Sequence, residues 1–211
     1  MRFFYCCYML ATPALLGFGT GLSLIVAIGA QNAFILRQGI TRQHVWVAII
    51  ICMLSDIVLI SAGIAGLGAL IERAEWIMSA ARIGGALFLA LYALFALRRA
   101  LSPTSMATKN SPSESSAWRV ALTTLALTWL NPHVYVDTVL LLGSIGNSFA
   151  GARWQFGAGA IVASLVWFTA LGVGSRYLAR IFAKPRAWQL LDGFICLFML
   201  YFAIRLVLPL F

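Results

Sequence analysis

"WLNPHVYVD", Trp129 to Asp137, interrupts one of the most apolar stretches of the chain. Proline lacks an N–H and clashes with the carbonyl four residues back, so a helix entering from Val120 is expected to kink or break at Pro132, with Asn131 placed to cap the segment beyond. In water such a break is ordinary. In lipid the freed backbone groups must be buried in protein or line a cavity. Which solvent surrounds these nine residues therefore decides how the fold is read.

Composition answers for lipid. Of 211 residues 62% are hydrophobic and 10% are charged, far below the roughly 25% charged of a soluble domain. Crossing about 30 Å of hydrocarbon takes about 20 apolar residues. Six runs meet that length, approximately Leu10 to Leu36, Val45 to Ile71, Trp76 to Leu97, Val120 to Gly146, Trp154 to Ser175 and Ala187 to Leu208. The expectation is an all-α integral membrane protein of six hydrophobic helices. "SPTSMATKNSPSESS" (Ser102 to Ser116) is the one linker-like stretch. It divides a single membrane domain, residues 1–211, into a first half of about 9–101, a linker of about 102–118 and a second half of about 119–211. "MRFFYCCYMLATPALL" resembles a signal peptide only superficially, because the uncharged run continues from Phe3 to Leu36. It reads as a retained helix, with Met1 or Met9 as the start.

A net charge of +9 would suggest nucleic acid for a soluble protein; here it reads as basic loops held on the cytoplasmic side. The connections after helices one, three and five carry Arg37, Arg42, Arg98, Arg99, Lys109, Arg119, Arg176, Arg180, Lys184 and Arg186, against Arg2, Arg73, Arg82, Arg153 and Arg205 opposite. Ten against five places both termini outside. Cys6, Cys7, Cys52 and Cys196 form no C-x-x-C pair and read as small apolar filler. No H-E-x-x-H, nucleophile elbow or phosphate-cradling glycine loop is present, so neither an enzyme, a metal site, a cofactor nor ATP-driven transport is expected.

What remains are polar groups in lipid, where an ionisable side chain costs about 2.5–3.5 kcal/mol at mid-helix and marks a pathway or a partner. Asp56 and Asp137 lie well inside helices two and four, and no Lys or Arg occupies the centre of any run. Transport or proton handling is expected of both, with hydrogen bonding to Ser or Thr as the structural alternative. Glu72, Glu75, Glu114 and Asp192 read as solvated acids at helix ends or in loops. Beyond the break at Pro132, a new helix N-terminus would turn its N–H groups toward a substrate carboxylate. Tyr135 joins that segment, and His133 and Asp137 are four residues apart, on one face of an α-helix. Helix one is interrupted in the same manner in "IGAQNAFILRQG", where Gly29 loosens the helix and Gln31 and Asn32 supply a polar pair. An offset of 109 superposes Ser55 on Ser164, Gly63 on Gly172, Gly84 on Gly193 and Tyr92 on Tyr201. Two three-helix halves must run oppositely through the membrane, which is the inverted-repeat plan of many transporters.

"GAQNAFILRQGITR", "SDIVLISAGIAGLG" and "LTWLNPHVYVDT" resemble the corresponding stretches of the basic amino acid exporters of the LysE superfamily, over nearly the whole chain. In order and spacing the resemblance is closest to the bacterial arginine exporter group. It implies secondary active export of L-arginine across the bacterial cytoplasmic (inner) membrane, with L-lysine and canavanine as alternative cargoes, protons as the exchanged partner, and no nucleic acid partner. A homo-oligomer is compatible with it. Where that family usually has proline this chain has Ala30, and where the arginine exporters have another it has Ala27, which predicts a softer break in helix one. Asp56 and Asp137 could take the cationic groups of arginine, since a carboxylate grips guanidinium through two parallel hydrogen bonds. The N–H groups around Asn32, Asn131 and His133 could take its carboxylate. A channel or metal-cation carrier, or a membrane assembly protein without turnover, are the competing classes; two histidines suit a metal carrier poorly.

Overall fold

The computed structural model describes residues 2–26, 29–68, 75–101, 116–178 and 185–208, and no strand occurs among them. In chain order the elements are α1 (Arg2–Val26), α2 (Ala30–Thr41), α3 (Val45–Ile64), α4 (Glu75–Leu101), α5 (Ala117–Trp129), α6 (Pro132–Val134), a π-helical segment (Tyr135–Leu141), α7 (Leu142–Ser148), a 3₁₀ turn (Ala150–Ala152), α8 (Arg153–Leu178) and α9 (Pro185–Val207). The expected linker core at 102–115, and the readings of Glu72, Arg73, Lys109, Glu114, Arg180 and Lys184, lie outside the described residues. So do those that rest on the side chains of Arg2, Cys6, Cys7, Glu75 and Arg99.

Among the described residues, three helical stretches are long and apolar enough to cross a membrane, Val45–Ile64, Ala150–Tyr177 and Gln189–Val207. Two further spans arise if each interrupted pair, Thr12–Val26 with Ala30–Thr41 and Ala117–Trp129 with Pro132–Ser148, counts as one. Both interruptions fall where the sequence places them. Gly29 holds extended backbone (φ −121°, ψ 172°) and α2 starts after it at Ala30. Extended backbone therefore stands at Gly29 with alanine at residue 30.

The second interruption arises from Pro132. The last bond of α5 runs from the Leu130 N–H to the Ala126 carbonyl, Asn131 is not helical, and the helix resumes at Pro132, whose missing N–H costs nothing at a first helical position. The resumed helix is not an ordinary one. Tyr135–Leu141 is π-helical and ends with the Leu142 N–H bonded to the Asp137 carbonyl five residues back, a widened turn that occurs often at functional sites.

By internal contacts the described chain forms two compact units. The first holds residues 1–28, 52–78 and 133–170, hence α1, the later part of α3, the π segment with α7, and most of α8. In lipid, helices associate through close packing rather than hydrophobic transfer, so small residues set the contacts. On α1, Gly17 and Gly21 are spaced as GxxxG and meet the backbone of α8 at Phe156 and Ala160. On α3, Gly63 meets Gly143 of α7 so closely that a side-chain carbon on Gly143 would sit 2.8 Å from Gly63. The Asn147 amide seals that contact by donating to the Gly63 carbonyl at 3.2 Å and to the Gly143 carbonyl at 2.9 Å. Around it Ile60, Ile64, Leu142, Phe156 and Ala160 form the core.

The second unit holds residues 29–51, 79–132 and 171–211. Within it α2 packs against α5 and α9, and Phe34 of α2 meets Tyr92 of α4 edge to face at 6.1 Å. Each unit thus draws segments from both halves of the sequence.

Candidate functional site

Asp56 sits on α3 with 6% of its surface exposed. Apart from Ser55 and Ser61 the helix around it is apolar, "VWVAIIICMLSDIVLISAGI", and a buried carboxylate needs a partner. Ser164 of α8 is that partner: its hydroxyl donates to the Asp56 carboxylate at 2.7 Å, in the buried interior of the first unit. Among the described residues Asp56 makes no ion pair. A buried carboxylate held by one neutral hydroxyl keeps acceptor capacity for a proton or a cation.

Asp137 and Tyr135 belong to the π segment and are half-buried, while His133 in the turn before it is exposed. His133 and Asp137 are four residues apart along this stretch. Between them the chain widens to π geometry at Tyr135. A wider turn changes which residues stack along the face. Asp56, His133, Tyr135 and Asp137 all belong to the first unit.

The remaining expected residues fall in the second unit. Asn32 is buried and Asn131 half-buried, and both are engaged with neighbours. Gln31, in the first turn of α2, keeps its amide nitrogen buried without a hydrogen-bond partner, an uncommon and costly condition. Further along the same helix the Gln38 amide oxygen is likewise buried without a partner.

Sequence reasoning missed an ion pair here. Asp192, expected to be solvated, is 5% exposed and faces Arg37 of α2 at 3.6 Å. Arg37, expected in a cytoplasmic connection, lies inside α2 with its side chain 12% exposed. The correction has a simple cause. Asp192 is seven residues into α9, too deep for a helix-end acid, and the criterion that selected Asp56 also selects it. Cys52 and Cys196 are buried and not joined in a disulfide.

The family profile described as LysE type translocator matches residues 22–209. A putative amino-acid transporter of Mycobacterium tuberculosis is 45% identical over 186 residues, covering 87% of this chain and 90% of that protein. The arginine exporter protein ArgO of Pectobacterium carotovorum is 40% identical over 187 residues, covering 88% and 92%. Its namesake in Salmonella enteritidis is 40% identical over 178 residues, covering 83% and 84%. No solved structure matches this chain.

Proposed function

This chain belongs to the LysE type translocator family and is an integral inner-membrane protein of amino acid transport; on that premise we propose that it exports L-arginine from the cytoplasm in exchange for protons. Relatives named as arginine exporters, at 40% identity over most of both chains, support arginine as the cargo over lysine or canavanine. Asp56 is the observation that carries the mechanism. Its carboxylate is buried, bonded only by Ser164 and free of ion pairing among the described residues, so it can hold a proton or a guanidinium, one at a time. Asp137 is the second carrier, and His133 beside it relays the proton.

In the second unit, the unbonded Gln31 amide donor suits a carboxylate, and the amides of Asn32 and Asn131 are assigned to the same class of ligand. Six spans complete the topology. The sixth is α4, whose 27 residues extend about 40 Å at 1.5 Å each, long enough although Arg82, Arg98 and Arg99 lower its hydropathy. Two inverted halves, divided at about 102–118, are the arrangement we favour. In support, the offset pair Ser55 and Ser164 are both buried, and Gly63 and Gly172 each meet a neighbouring helix at close range.

The test is efflux of radiolabelled amino acids from vesicles containing the purified protein under an imposed pH gradient. Gradient-driven arginine efflux, absent in Asp56→Asn and Asp137→Asn, is the expected result. Undiminished efflux by the doubly substituted protein removes the carboxylates from the mechanism.

A further inference from the structure

The turn between α2 and α3 carries two basic side chains that the transport reading leaves unused. Arg42 and His44 both hold left-handed backbone, at φ 55° and 49°, a conformation uncommon outside glycine. The turn is fixed by the Arg42 N–H bonded to the Gly39 carbonyl at 3.3 Å and the Gln43 N–H bonded to the Gln38 carbonyl at 3.1 Å. The end of α8 reaches the same place in the second unit. Ser175 packs into the space left by Gly39, and Val45 and Ile49 pack against Gly172, which delivers Arg176 to the turn.

Here lies a cavity of about 440 Å³ lined by Arg42, His44, Val45, Trp46, Val47 and Arg176. Arg42, Arg176 and His44 are among its lining residues, and no acid is. The His44 carbonyl accepts the N–H groups of Val47 and Ala48, so α3 begins at the cavity wall and adds the positive end of its dipole.

We infer that this cavity binds a phosphate group, presented by the headgroup of an anionic phospholipid. Guanidinium forks match phosphate oxygens in geometry as well as charge. The place fits the source. The apolar span of α3 begins at Val45 and that of α8 ends at Tyr177, so the cavity lies at the level where hydrocarbon gives way to headgroups. Trp46, 47% exposed, stands in the wall as an interfacial aromatic, and Val45 and Val47 offer an apolar side to the start of the acyl chains. A cationic amino acid is the wrong occupant, because two arginines repel its ammonium and side chain.

The test is native mass spectrometry of the full-length detergent-purified protein titrated with phosphatidylglycerol, phosphatidylcholine or inorganic phosphate. Arg42→Gln with Arg176→Gln should weaken phosphatidylglycerol retention by about twenty-five-fold, from about fivefold for each basic residue. Arg42→Lys with Arg176→Lys keeps the charges and should retain most of the binding, which separates loss of the site from loss of fold. Equal retention by the parent and the double-glutamine protein overturns the site. Binding of inorganic phosphate with no preference for phosphatidylglycerol over phosphatidylcholine overturns the lipid as its source.

Discussion

Asp56 and Asp192 are both buried acids, and their partners differ in kind. Ser164 offers Asp56 a neutral hydroxyl, a bond that an asparagine carbonyl accepts as well. Asp56→Asn should therefore leave stability within about 1 kcal/mol while gradient-driven export disappears; thermal unfolding in detergent beside vesicle efflux separates the two effects. Asp192 instead faces Arg37 at 3.6 Å, beyond hydrogen-bond length, so the pair is held by charge in a poorly solvated place. Arg37→Met or Asp192→Leu alone should therefore destabilise the protein, whereas the two together should restore part of the loss. Recovery in the double variant would be read as a rise in melting temperature; its absence would show that the pair does more than balance charge. Asp56 was legible in the sequence because it is the one charged residue in an otherwise apolar helix that has only two serines beside it. Its partner was not, since a hydroxyl 108 residues away carries no local signal. Arg37 was misread because basic residues near a span end usually belong to loops.

The interruption at Pro132 was legible from one residue's chemistry, and the π segment after it was not, because no residue type demands an i→i+5 ladder. Against that segment stands the close approach of Gly63 on α3 and Gly143 on α7, together with the Asn147 bonds. A side-chain carbon added to Gly63 would lie 2.8 Å from the Val139 carbonyl oxygen, which is backbone and cannot swing aside. Gly63→Val should thus destabilise the protein by about 1–3 kcal/mol or more, seen as a lower melting temperature and faster proteolysis. Pro132→Ala acts differently. Restoring an N–H at residue 132 favours a continuous helix through Asn131, so transport should fall more than stability; parent-level efflux by this variant would remove the break from the mechanism and leave it to Asp56 and Asp137.

At the level of the membrane, the cell interior is negative and retains cations by about 2.3 kcal/mol for each charge and each 100 mV. Export of arginine therefore needs a source of energy. A fixed carboxylate that takes a guanidinium outward and a proton inward exchanges one positive charge for another, so a one-for-one cycle moves no net charge. The potential then neither helps nor hinders, and the pH difference alone drives the cargo. This yields a measurement that separates exchange from a channel. In vesicles loaded with labelled arginine, a potassium diffusion potential of either sign set by valinomycin should leave the rate unchanged, while collapsing the pH difference with nigericin should stop accumulation against a gradient. A channel gives the opposite pattern, with flux that tracks the potential and never exceeds equilibrium. Rates that depend on the potential would replace the exchange mechanism with an electrogenic one and would leave Asp56 and Asp137 as cation-binding groups without a proton to carry.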